Sequence, residues 1–74
     1  MRFMQIVDVK SSVISKVVYN DGFMFDKFID NGWYKYRISE SMFERFLKAP
    51  SKGTFLNKTI KTIDKGKPCL STEL

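Results

Sequence analysis

The sequence predicts an α+β domain: a three-stranded antiparallel meander, extendable to four strands by an N-terminal segment, followed by two helices packed on one face. Three observations carry this reading. Apolar and β-branched residues recur at a two-residue period through the first half of the chain. Two turn signals, Asn20-Asp21-Gly22 and Asp30-Asn31-Gly32, divide that half into strands. Beyond Ile38 the apolar period lengthens to that of a helix, and Pro50 cuts the helical region in two.

The elements follow in order. Phe3 to Val9 alternates weakly and reads as a short edge strand, closed by Lys10-Ser11-Ser12. Val13 to Tyr19 is rich in β-branched residues and reads as a strand. Asp21-Gly22 makes a tight hairpin, because both positions tolerate positive φ. Phe23 to Asp30 is the next strand. There Phe23 and Phe25 share one face while Phe28 falls on the other, which requires cover on both faces or a bulge. Trp33 to Ile38 completes the meander, with Tyr34, Tyr36 and Ile38 on one face and Trp33, Lys35 and Arg37 on the opposite one.

Ser39 can cap the first helix, and Ser41 and Glu44 have the capping-box spacing. Met42, Phe43, Phe46 and Leu47 form its apolar stripe, and it ends near Lys48 or Ala49. Ser51-Lys52-Gly53-Thr54 opens a second helix, with Leu56, Ile60 and Ile63 along one side and Lys58 and Lys61 projecting elsewhere. Gly66 and Pro68 are expected to stop regular structure. Residues 1–64 then form the single domain and 65–74 a frayed tail.

Composition bounds the function. A chain of 74 residues supports one small core, and 15% aromatic content with seven Phe excludes a disordered chain. There is no His, and Cys69 is the single cysteine, so nucleophile–base pairs and Cys/His metal clusters are excluded. Glu40 and Glu44 sit where they complement a helix dipole. Asp26 and Asp30 share a strand face at a separation of about 13 Å. The expectation is a non-enzymatic binding module without cofactor or metal. The N-terminal apolar run is broken by Gln5 and Asp8, and no stretch approaches the roughly 20 apolar residues of a membrane span. A cytoplasmic protein away from membranes is therefore expected, and a lone thiol agrees with a reducing compartment.

The formal net charge is +5. Its excess is local: Arg45, Lys48, Lys52, Lys58, Lys61, Lys65 and Lys67 are opposed in that segment by Asp64 alone. Such clustering is an electrostatic footprint for nucleic acid or another polyanion, or a solvated lysine surface. Pro50-Ser51-Lys52-Gly53-Thr54 lacks the first glycine and the Gly-Lys order of a phosphate loop, which excludes nucleotide hydrolysis. What remains is a helix start that can hold one anion or is simply capped. Lys48, Lys52, Lys58 and Lys61 are candidate phosphate contacts. Trp33, Lys35 and Arg37 form a candidate stacking and gripping surface.

One further pattern spans Val9 to Ile63. It runs Ser11-Ser12-x-Ile14, then Asn31-Gly32, Tyr34-Lys35-Tyr36, a helix containing Phe43, Ala49-Pro50-Ser51-Lys52-Gly53, and Phe55-x-Asn57-x-x-Ile60. This resembles the KTSC domain, a short module named for its place at the C-terminus of some lysyl-tRNA synthetases. The module also occurs alone in small bacterial and phage proteins, and this chain looks like that form. The resemblance implies RNA binding, which the synthetase context suggests, and points to Tyr34, Tyr36, Ser51, Lys52, Gly53 and Asn57. Tyr34 and Tyr36 read equally as core residues. The alternative function is protein interaction, as in a small phage protein docked on a host enzyme. Trp33 would then be the anchor, and the basic surface would steer it to an acidic partner. An open sheet edge leaves a homo-oligomer as a further expectation.

Overall fold

The fold is built around one tight turn. Asp21 and Gly22 take φ of 52° and 84°, as a two-residue hairpin with native twist requires. This sets Asn20 opposite Phe23 and joins β2 (Ile14–Asn20) to β3 (Phe23–Phe28). In the computed structural model, described over residues 5–70, β1 (Gln5–Asp8) pairs with β2. On the other side β4 (Trp33–Arg37) pairs with β3, and β5 (Lys67–Cys69) pairs with β4. All pairings are antiparallel, and the spatial order is the chain order. Phe3 and Met4 of the expected first strand lie outside the described residues.

The meander therefore has five strands. The expected N-terminal strand is present, and one expectation is corrected: part of the expected frayed tail is a strand. Lys67–Cys69 gains its structure from the free edge of β4, with Trp33 opposite Cys69 and Lys35 opposite Lys67. Proline does not prevent this, because an edge strand tolerates a missing N–H. The tail beyond Leu70 lies outside the described residues.

The bulge lies in β2 rather than in β3, where Phe25 and Phe28 are instead covered on opposite faces. Ile14 faces Phe28 and Lys16 faces Lys27, leaving Ser15 as the extra residue. That residue brings Ile14 and Val17 onto the same face, where both are completely buried. Strict alternation would have sent one of them outward.

Both helices cover one face of the sheet. The first helix, Glu40–Lys48, is capped by Ser39, whose Oγ accepts the Met42 N–H at 3.2 Å. Ser39 thus does the capping, rather than the Ser41–Glu44 box. Phe43 and Phe46 are buried, flanked by the half-buried Met42 and Leu47. Phe43 stacks on Tyr19 of β2 with centroids 4.8 Å apart. The buried Tyr19 hydroxyl donates to the Ile38 carbonyl at 2.9 Å, tying β2 to the chain beyond β4.

A second helical segment covers 52–63. It begins as an α-turn (Lys52–Phe55), passes through a π-turn (Leu56–Ile60) and ends in an α-turn (Lys61–Ile63). Leu56 and Ile60 are buried in the core, as expected, but Ile63 is 54% exposed. The π-turn takes up one extra residue, so positions after it are rotated out of the α-helical stripe.

Candidate functional site

The sheet face away from the helices is ordered by register. Val18, Phe25, Lys35 and Lys67 stand side by side across β2 to β5. The neighbouring row is Lys16, Lys27, Trp33 and Cys69, and Phe23 faces Arg37 at the other end of β4. Alternation dictates this: Lys35 and Arg37 point away from the core because Tyr34 and Tyr36 point into it. Val18 and Phe25 keep only 2% and 4% exposure on this side, so the long side chains around them act as cover.

The cations of this face differ in what they do. Lys16 pairs with Asp8 at 3.7 Å, both side chains being well exposed. Lys27 donates to the carbonyls of Phe28 and Asn31, each at 2.7 Å, and holds the β3–β4 turn. Lys35 places its ammonium 4.5 Å from the Phe23 ring centroid. Arg37 and Lys67 are exposed. Lys35, Arg37 and Lys67 line a cleft of about 450 Å³ together with Phe23, Asp64, Pro68 and Cys69.

Asp64 supplies the acid in this cleft, and its carboxylate is occupied. One oxygen accepts the Arg37 N–H at 3.1 Å and the other accepts the Gly66 N–H at 2.7 Å. The carboxylate thus continues the β4 ladder where β5 has not yet begun. Gly66 then turns the chain with φ of 84° into β5.

A second cleft, of about 420 Å³, lies at the start of the second helix. It brings Lys10, Ser11 and Ser12 against Ser51, Lys52, Gly53, Thr54 and Asn57. Residues distant in sequence but shared by the family pattern therefore meet in space. Most of their polar groups serve the fold. Ser51 Oγ accepts the Thr54 N–H at 3.3 Å, and Ser11 Oγ accepts the N–H groups of Val13 and Ile14. Lys52 Nζ donates to the Ala49 carbonyl at 2.8 Å. At Gly53 a Cβ would stand 3.1 Å from Val13 Cγ2, so a small residue suits the helix–loop approach.

The sequence candidates thus separate. Trp33, Lys35 and Arg37 occupy the open sheet face, joined there by Lys67. Ser51, Lys52, Gly53 and Asn57 occupy the helix-start cleft. Lys48, Lys58 and Lys61 lie on the helices, Lys58 beside a small apolar groove with Pro50 and Phe55. The run from Arg45 to Lys67 is not one patch, and Trp33 and Lys52 do not share a face. Tyr36, a candidate contact residue, is instead a core residue with 1% exposure. Tyr34 is half-buried and packs edge-on against Phe28 at 5.3 Å. The two-residue period turns both toward the helices.

Asp26 was not among the candidates, yet it is the most unusual polar group. It is 0% exposed and neither carboxylate oxygen has a hydrogen-bond partner. It stands between Val17 and Tyr34 on the core face, its nearest neighbours in register. Burial pushes its pKa up to about 8. The Tyr36 hydroxyl is raised above its ordinary value as well, first by burial and then by the charges of Asp26, Tyr34 and Asp64. Asp30, expected on the same strand face at a distance, lies in the β3–β4 turn. The signal for Asp26 was in the sequence: it falls between Met24 and Phe28 at the two-residue period of the core.

Among the described residues no three His, Cys, Asp or Glu side chains gather to hold a metal ion. No helix among them is long and apolar enough to cross a membrane.

Comparison with known proteins bears on the whole arrangement. The KTSC domain profile matches residues 10–63. The solved structure of a KTSC domain protein from Yersinia pestis superposes with a TM-score of 0.73 at 32% sequence identity, covering 88% of this chain and 93% of that one. No functionally curated protein matches the chain. The profile spans both the Tyr34-Lys35-Tyr36 strand and the two loops of the helix-start cleft, and the chain belongs to the KTSC domain family.

Proposed function

We propose that this protein is a non-catalytic nucleic-acid-binding module, with RNA as its ligand, acting through its basic surface. The observation that carries the reading is how the acids are used. Asp26 is buried away from solvent, and Asp64 spends its carboxylate on two backbone amides. Among the described residues the one ion pair is Lys16–Asp8. The surface therefore presents its lysines and arginines largely without side-chain ion pairs, and they carry the net charge of +5. Phosphate neutralisation by free Lys and Arg supplies most sequence-independent affinity for nucleic acid.

The test is a fluorescence-anisotropy titration of the full chain against labelled RNA and DNA at two salt concentrations. Binding at low salt that weakens steeply as salt rises supports the reading. Absence of binding at low salt, or binding indifferent to salt, overturns it. A pull-down from nuclease-treated lysate supplies the counter-test. A stoichiometric protein partner that survives nuclease favours docking on an acidic protein surface instead.

A further inference from the structure

We infer that the ligand is a single strand, and that it lies on the open face of β3, β4 and β5 rather than at the start of the second helix. This inference rests on the nucleic-acid reading above and assigns its surface.

Three observations select the face. First, it combines cations with rings. Trp33 and Phe23 lie at opposite ends of the β3–β4 pairing, with Lys35 and Arg37 alternating along β4 and Lys67 beside them on β5. Single strands expose base faces that stack on aromatic rings while the backbone follows cations, whereas a duplex keeps its bases stacked inside. Second, two of its cations are unclaimed. Arg37 and Lys67 form no salt bridge among the described residues, and each oxygen of the Asp64 carboxylate beside them accepts a backbone amide. Third, the face is hollowed: the cleft of about 450 Å³ is walled by Phe23, Lys35, Arg37 and Lys67, placing a ring and three cations around one opening. Lys35 sits over Phe23 in the free protein, so a stacking base and its phosphate would compete for the same ring and cation.

The helix-start cleft is the weaker choice. Lys52 is tied to Ala49, Ser51 to Thr54, and Ser11 to the backbone that follows it. The cleft also holds no aromatic ring on which a base could stack.

Trp33 is the single tryptophan, so intrinsic fluorescence reports on this face directly. The full chain is titrated with ten-nucleotide oligo(U) and oligo(dT), and with a duplex of equal length. Each titration is read by Trp33 fluorescence and by anisotropy. Quenching by the single strands and not by the duplex is expected, and comparison of oligo(U) with oligo(dT) separates RNA from DNA. Two variants locate the surface. Arg37→Ala/Lys67→Ala, both at exposed side chains, should weaken binding at least tenfold. It should also flatten the log–log salt dependence by about 1.4, roughly 0.7 for each single-strand phosphate contact removed. Lys52→Ala/Lys58→Ala/Lys61→Ala should change affinity less than threefold. Far-ultraviolet circular dichroism checks that each variant is folded. Undiminished binding by the sheet variant with loss in the helix variant overturns the face and leaves the nucleic-acid reading standing. Preference for the duplex without Trp33 quenching overturns the single-strand assignment. Failure of the parent chain to bind any of the three overturns both.

Discussion

Gly66 lies against the ring of Tyr36 with no room for a side chain. A Cβ built at Gly66 would stand 2.7 Å from Tyr36 Cζ and 2.9 Å from Cδ2. The same glycine has φ of 84°, so two constraints coincide at the residue that turns the chain into β5.

Gly66→Ala should therefore cost about 2–4 kcal/mol, combining left-handed backbone strain with overpacking. Gly22→Ala is the control. Gly22 also has φ of 84°, but nothing lies within 4 Å of its would-be Cβ. Its cost should be the backbone strain alone, about 1 kcal/mol. Urea denaturation of the two variants measures the difference.

Asp26 makes stability depend on pH. Its folded pKa of about 8 lies above the ordinary 3.8, so the folded state holds the proton more tightly than the unfolded chain. Below both values the carboxyl is protonated in either state and costs no ionisation. As pH rises from about 4 to about 8, unfolding releases a proton, and stability falls by up to about 1.4 kcal/mol per pH unit. Asp26→Leu should abolish this contribution; it should raise stability by about 1–3 kcal/mol at low pH, because a buried unpaired polar group is removed, and by more at pH 7. Melting temperatures of parent and variant across pH 5 to 9 check both effects. Parallel profiles would sink the account.

Asp64 holds β5 in place. Asp64→Ala removes the acceptor of two backbone N–H groups, Arg37 and Gly66. A loss of about 2–3 kcal/mol is expected, at the lower end for charge-assisted bonds because the site is partly exposed. Amide exchange separates this from global unfolding. Lys67 to Cys69 should lose protection well before the β2–β3 ladder does.

Tyr19→Phe should cost about 1–2 kcal/mol, since it leaves the Ile38 carbonyl without its buried donor while the stack on Phe43 survives. Phe43→Ala, which empties the other side of that stack, should cost about 3–5 kcal/mol. Thermal unfolding of both variants tests the ranking.

These residues also mark how far the sequence could be read. β1 to β4 were legible because short turns join them and a two-residue period sorts their faces. Asp21-Gly22 and the Tyr34, Tyr36, Ile38 alternation are local signals. Both helices were legible from Ser39, Ser51 and Pro50, which act within a few residues of themselves. β5 was not. Lys-Pro-Cys carries no strand propensity of its own, and its order comes from a β4 edge on the far side of the helical region. The π-turn was also hidden, and with it the exposure of Ile63, because nothing in Leu-Asn-Lys-Thr-Ile distinguishes a π from an α turn. For the candidate site, the strand pattern located Trp33, Lys35 and Arg37. The basic run misled, because charges adjacent in sequence are divided by the fold between the sheet face and the helices. Lys67 joins the sheet cations only through β5.

Pro68 gives that last strand a further consequence. A sheet that ends in an exposed strand is a template for another chain, and unmanaged edges lead to fibrous or edge-to-edge aggregation. The outer strand here is three residues long, and its middle residue has no N–H to offer a newcomer. Lys67 adds a charge at the same edge. The sheet is thus terminated chemically on this side, and any strand exchange between copies is left to β1.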